Sequence, residues 1–205
     1  EGANLTEAVL TLANLTNANL TDANLADANL AGANLAGANL KNANLEGADL
    51  LNAVLSYANL KNANLTNANL LEAKLLDADL EGANLEGADL AGADLRNVKS
   101  GKIIGTPVAL PDEWMLVEGY LIGPGADLWH ADLTDVNLSG ADLTDAYLGG
   151  ANLTRADLTN ANLEGANLNQ VKWHDTICPD ETNSDANGDT CCGHLNDAVP
   201  SAGCD

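Results

Sequence analysis

Asn183, Asp185, Asn187, Gly188 and Asp189 punctuate the stretch ICPDETNSDANGDTCCGH near the end of the chain. Hard cations such as Ca2+ take oxygen ligands, and side chains at positions 1, 3 and 5 of a loop that turns on Gly at position 6 can converge on one ion. Asp189 would follow at position 7. The set departs from the full pattern twice: position 1 is Asn, and position 12 is His194 where a bidentate carboxylate would stand. Asx-rich turns closing a short disulfide loop suit the same residues without a metal. Calcium at Asn183, Asp185, Asn187 and Asp189 is one expectation; no cofactor is the other.

The same tail carries all four cysteines, Cys178, Cys191, Cys192 and Cys204. An even number confined to a non-repetitive segment points to disulfides and an oxidising compartment. A bridge between the neighbours Cys191 and Cys192 is strained, which leaves Cys178 bonded to Cys191 or to Cys192. Buried reduced thiols are the alternative. Catalytic chemistry is harder to find. His130, His174 and His194 are scattered, with no HExxH spacing, no Gly-rich phosphate loop followed by Lys and no GxSxG. The expectation is a protein without an active site.

Composition narrows the partners. The 205 residues carry 30 Asp and Glu against 8 Lys and Arg, a formal charge of −22. Phosphate backbones and anionic lipid surfaces repel such a surface, so direct nucleic-acid binding is not expected. No apolar run reaches the roughly 18 residues of a membrane span, so membrane insertion is not expected either. Hydrophobic residues make up 46%, yet Phe is absent and aromatics are 3%, so any core is built from small side chains and must be narrow.

That core is written as a five-residue period. Leu recurs from Leu5 to Leu95 with Ala two residues before each, then again from Leu128 to Leu168 with Val136 the one departure from Ala. Five fits neither the 3.6 of a helix nor a long strand alternation. It fits a coil that turns a corner in every pentad. The Leu and the Ala two before it face inward together, and the residue between them faces water. Asn or Asp before the Leu, and Gly after it, suit tight corners.

The runs LTNANLTDANLADANLAGANL and ADLTDAYLGGANLTRADLTNANLEGANL resemble the pentapeptide repeat family. The resemblance implies an all-β fold, a right-handed quadrilateral parallel β-helix with four pentads per coil. It places two arrays at 1–100 and 121–173, a non-repeat insertion at about 101–125, and a Cys-containing cap at 174–205. Open coil ends need covering, and Trp173, standing where a Leu belongs, is a candidate plug.

Four pentads per coil stack residues twenty apart. Leu51, Leu71, Leu76, Val54 and Tyr57 then gather on two adjacent faces. Outward apolar residues on a polar ladder mark a contact, with either another part of the chain or a partner. The insertion KIIGTPVALPDEWMLVEGYLIGPG supplies Trp114, Met115 and Tyr120, too apolar for a free loop. It is expected to dock on Leu51, Leu71 and Leu76, with Ile103 and Leu121 continuing the coil at its edges. A long loop on a rigid scaffold is also a usual place for recognition.

These residues favour a non-enzymatic scaffold that contacts an unidentified protein partner, as a monomer or weak dimer. The Cys-bounded tail resembles those of cyanobacterial and plastid-lumen members, which implies an extracytoplasmic home in the periplasm or thylakoid lumen. The runner-up, also implied by the family, is a DNA mimic that inhibits a type II topoisomerase. Calcium binding through the tail is the third reading.

Overall fold

Each pentad folds for reasons that can be read residue by residue. In a computed structural model that describes residues 1–195, the Leu amide donates to the coil above, as from Leu25 to the Asn44 carbonyl at 2.7 Å. The amide of the preceding residue donates to the coil below, as from Asn24 to Ala3 at 2.9 Å. One residue per pentad therefore makes parallel bridges on both sides, such as Asn24 to Asn4 and to Asn44. Four such bridges fall in every twenty residues, one for each side of the coil.

The corner follows at once. The amide three residues after each Leu donates back to that Leu carbonyl, as from Ala28 to Leu25 at 3.1 Å. Two residues after the Leu the backbone takes a positive φ, near 56° at Asn17, Asp22 and Asp27. Asn, Asp and Gly tolerate that region with least strain, which is why they crowd this position. The Asn or Asp before the Leu bends its own side chain to the corner, as Asn64 Oδ1 accepts from the Thr66 amide and hydroxyl. The sheet-facing polar residues thus hold the turns, and successive Asn side chains also link coils, as Asn64 Nδ2 donates to Asn44 Oδ1 at 2.9 Å.

The chain divides into two compact units, Glu1–Asp112 and Glu113–Asp205. In the first, the inward Leu and Ala residues from Ala23 to Leu95 are buried, while Leu5, Leu10 and Leu15 in the first coil are only half-buried. The ladder does not end where the pentad does. Ile104 bridges Asn84 and Ala109 bridges Asp89, so the backbone keeps its register beyond residue 100. Ile103 points inward and is buried, in the place of an Ala.

In the second unit, the pentads from Ala126 to Leu168 build the core, with bridges such as Asp127 to Tyr147 to Asn167. A hairpin leads into it: strand β1 (Met115–Val117) pairs antiparallel with β2 (Tyr120–Ile122). Its two-residue turn, Glu118 and Gly119, has positive φ at both positions, the twist a tight hairpin needs. Trp114, Met115, Val117 and Tyr120 pack against this unit's own core. The hairpin runs directly into Ile122 and Ala126 of the core it covers, and Gly123 makes room for the Trp114 ring.

The far end of the unit is closed by Trp173, Cys178, Cys191 and Leu195, all buried against the same core. Cys178 is bonded to Cys191, one of the two expected pairings. Cys192 is disulfide-bonded as well, and Cys204 lies outside the described residues. Among the described residues, Thr176 and Ser184 are the buried polar side chains. The Thr176 hydroxyl donates to the Leu153 carbonyl and the Ser184 hydroxyl to that of Trp173, so neither is left unsatisfied.

Candidate interaction surface

Interiors filled with Leu and Ala leave chemistry to the outer faces. In the first unit, Leu51 and Leu71 stack in one column and Ser56 and Leu76 in the next, with Tyr57 beside Ser56; the Asn52 amide donates to the Leu71 carbonyl and the Tyr57 amide to that of Leu76. Leu51, Val54, Leu71 and Leu76 are half-buried by their neighbours, and Tyr57 is 65% exposed. Nearby, Lys61 binds Glu81 one coil on at 2.5 Å, and that bond holds the Glu81 carboxyl below its usual range.

The second unit carries an aromatic group that sequence reasoning passed over. Trp129 is 56% exposed and Tyr147 45% exposed on one face. The Trp129 amide donates to Asp127 Oδ1 at 3.2 Å, and its ring meets the His130 ring edge-on at 5.0 Å. One coil on lie Gly149 and Gly150. A Cβ on Gly149 would fall 2.3 Å from the Trp129 ring, and one on Gly150 the same distance from His130 Nδ1. The signal was available, because residues twenty apart stack: Trp129 must meet Gly149, and His130 must meet Gly150.

Beside this face, the hairpin turn and the next side of the coil border a cleft of about 620 Å³, lined by Val117, Glu118, Asp132, Thr134, Asp135 and Val136 among others. Tyr120 fastens the hairpin there, its hydroxyl accepting from the Asp132 amide at 3.2 Å. The Thr134 hydroxyl and amide both donate to Asp132 and hold its carboxyl below the usual range. Arg155 does the same for Asp135 through paired hydrogen bonds.

In the tail, Ser184–Asn187 form a 3-10 turn capped by Asn183 and closed by Gly188 in the left-handed region. Asn183 Oδ1 accepts from the Asp185 amide and its Nδ2 donates to Asp175, while Asn187 Nδ2 donates to Thr182. Both Asn side chains thus take part in the tail's own hydrogen bonds. Asp185 and Asp189 instead converge with His174, all three exposed, their ligand atoms within 4.8 Å of one another. His174 Nδ1 stands 3.3 Å from Asp185 Oδ1. Among the described residues no helix is long and apolar enough to cross a membrane.

Comparison with known proteins gives a consistent result. The family model described as pentapeptide repeats matches in 8 copies, over residues 1–35, 33–70, 64–99, 124–150 and 137–172. HetL, a pentapeptide repeat protein involved in heterocyst differentiation regulation from the cyanobacterium Nostoc sp., is 33% identical over 89% of this chain and 77% of its own, with a TM-score of 0.48. Rfr23 from the cyanobacterium Cyanothece is 40% identical over 49% of this chain and 65% of its own, with a TM-score of 0.36. A pentapeptide repeat protein from the Arabidopsis thaliana thylakoid lumen is 30% identical over 50% of this chain and 68% of its own, with a TM-score of 0.26. No curated protein matches the chain.

Proposed function

This chain belongs to the pentapeptide repeat family, and from that membership we propose that it is a non-enzymatic scaffold whose outer faces bind a protein partner. Members of the family are generally non-enzymatic scaffolds, and their right-handed four-sided coil is the handedness proposed here. One observation carries the reading: among the described residues, the buried side chains are apolar apart from Thr176 and Ser184. Every carboxylate, Lys and Arg described stands at least partly in solvent, whereas acid–base catalysis needs a desolvated group in a pocket. What the surface offers instead is rigid placement of side chains at fixed spacing.

The disulfide Cys178–Cys191 supports an oxidising, extracytoplasmic compartment, with the periplasm or thylakoid lumen as the proposed home. The experiment is affinity capture from native extract with the immobilised protein. A scaffold retains a discrete protein that free soluble chain competes away; capture of nothing competable, at low and at physiological salt, contradicts the reading. The charge of −22 favours one other possibility, mimicry of DNA. Inhibition of type II topoisomerase supercoiling at micromolar protein would replace the scaffold reading with that one.

A further inference from the structure

The second unit combines an exposed aromatic shelf with a large charge imbalance. Residues 113–205 hold two cationic side chains, Arg155 and Lys172, against sixteen carboxylic ones. Arg155 is already committed to Asp135. Trp129 and Tyr147 stand exposed amid this negative field, with Asp127 bonded to the Trp129 amide and bridged to Tyr147 in the next coil.

The shelf is also built rather than incidental. Gly149 does not have a positive φ, so its backbone does not require glycine. What the missing Cβ provides is space, into which the six-membered ring of Trp129 settles. An exposed Trp would otherwise sample several rotamers; the Gly149 notch holds it against the coil and leaves its other side to solvent. A neutral apolar partner would have to strip water from the Asp127 carboxylate without return. A guanidinium or ammonium group gains twice, from the quadrupole of the indole and from the acidic surroundings.

We propose that the Trp129 shelf is a docking site for an arginine- or lysine-bearing segment of a partner protein, whose cation stacks on the indole beside Asp127. This rests on the scaffold reading and adds the chemistry of the partner to it. Arginine fits better than lysine, because its planar, weakly hydrated head stacks on an aromatic face and can still donate to a carboxylate.

The test is a titration of the whole protein with acetyl-Gly-Arg-Gly-Arg-Gly-amide and with its citrulline counterpart, which keeps shape and loses charge. Heat and the indole N–H signals of Trp114, Trp129 and Trp173 are followed. The expected result is a saturable shift of the Trp129 signal with the arginine peptide. Affinity should fall at least tenfold for citrulline and at least tenfold in Trp129→Leu, and several-fold in Asp127→Asn. Gly149→Ala, whose backbone tolerates Ala, should displace the ring and weaken binding while the chain stays folded. Equal binding of both peptides, or undiminished binding by Trp129→Leu, overturns the proposal. So does a Trp129 shift produced by cellohexaose but not by the arginine peptide. Competable capture of a partner that Trp129→Leu retains in full would sink the shelf and leave the scaffold reading standing. Absence of any capture sinks the scaffold reading, with the peptide titration still deciding the shelf.

Discussion

Ile104 makes a parallel bridge to Asn84, twenty residues earlier, in a stretch where no pentad can be read. The Ile104 amide donates to the Ala83 carbonyl at 2.9 Å and its own carbonyl accepts from Leu85 at 2.8 Å. The pattern of hydrogen bonds is therefore that of the repeat, carried by residues that are not. Once a coil exists beneath it, its row of unpaired amides and carbonyls templates one more strand whatever the side chains.

The disulfide closes a loop of 13 residues at the end of the second unit. Chain entropy predicts a contribution of about 3 kcal/mol for a loop of that size. The double variant Cys178→Ala/Cys191→Ala should lower the denaturation midpoint accordingly, most visibly in hydrogen exchange of residues 173–195. An unchanged midpoint would show that Trp173 and the Thr176–Ser184 hydrogen bonds close the end unaided.

Acid should destabilise the fold for an identifiable reason. Hydrogen bonds from Arg96 hold the Asp94 carboxyl below its usual range, and Thr134 and Arg155 act likewise on Asp132 and Asp135. A carboxyl with a lowered folded pKa contributes stability that is complete above its unfolded value, about 4, and is lost as the pH falls through the folded one. Melting temperature should hold from neutrality to about pH 4 and then drop, and Asp94→Asn should make the drop shallower. At pH 7, added salt should raise the melting temperature by screening a chain of charge −22.

Tyr57 occupies a corner with φ of 62°, a conformation that a bulky side chain adopts at a cost. Tyr57→Gly should relieve about 1 kcal/mol of strain and raise the midpoint. Loss of partner capture in that variant, despite the gain in stability, would identify the exposed ring as a contact residue.

Calcium gives a sharp result at the tail. Asn183 Oδ1 already accepts from the Asp185 amide, so an ion held by the oxygens of Asn183, Asp185, Asn187 and Asp189 would compete with a hydrogen bond of the turn itself. Calorimetry with millimolar CaCl2 should show neither heat nor a change in melting temperature. A rise in melting temperature that Asp185→Asn abolishes would place an ion there.

The repeat was legible because each pentad repeats one local decision: an inward Ala and Leu, an Asx that holds the turn, and a corner residue that tolerates positive φ. The hairpin was half legible. The apolar character of Trp114, Met115 and Tyr120 requires a cover, but stacking arithmetic says nothing about residues outside the ladder, so their packing on the core that begins at Ile122 is not readable from it. Trp129 is legible only as one of a pair, a Trp stacked on a Gly twenty residues later, because neither residue alone departs far from the pattern of the repeat. Cysteine spacing narrows the bridge to Cys178 with Cys191 or Cys192, and because those two are adjacent in the chain the choice of Cys191 comes from the fold.

Site-specific photocrosslinking tests most directly where the scaffold holds its partner. A benzophenone side chain placed at the exposed position 169, in the column of Trp129 and Gly149, and in a second protein at the exposed position 46 of the first unit, is irradiated in native extract with Trp129 intact. The prediction is a protein adduct of defined mass from position 169 alone, competed by unlabelled chain and by the arginine peptide. No competable adduct from position 169, or the same adducts from both positions, would contradict it.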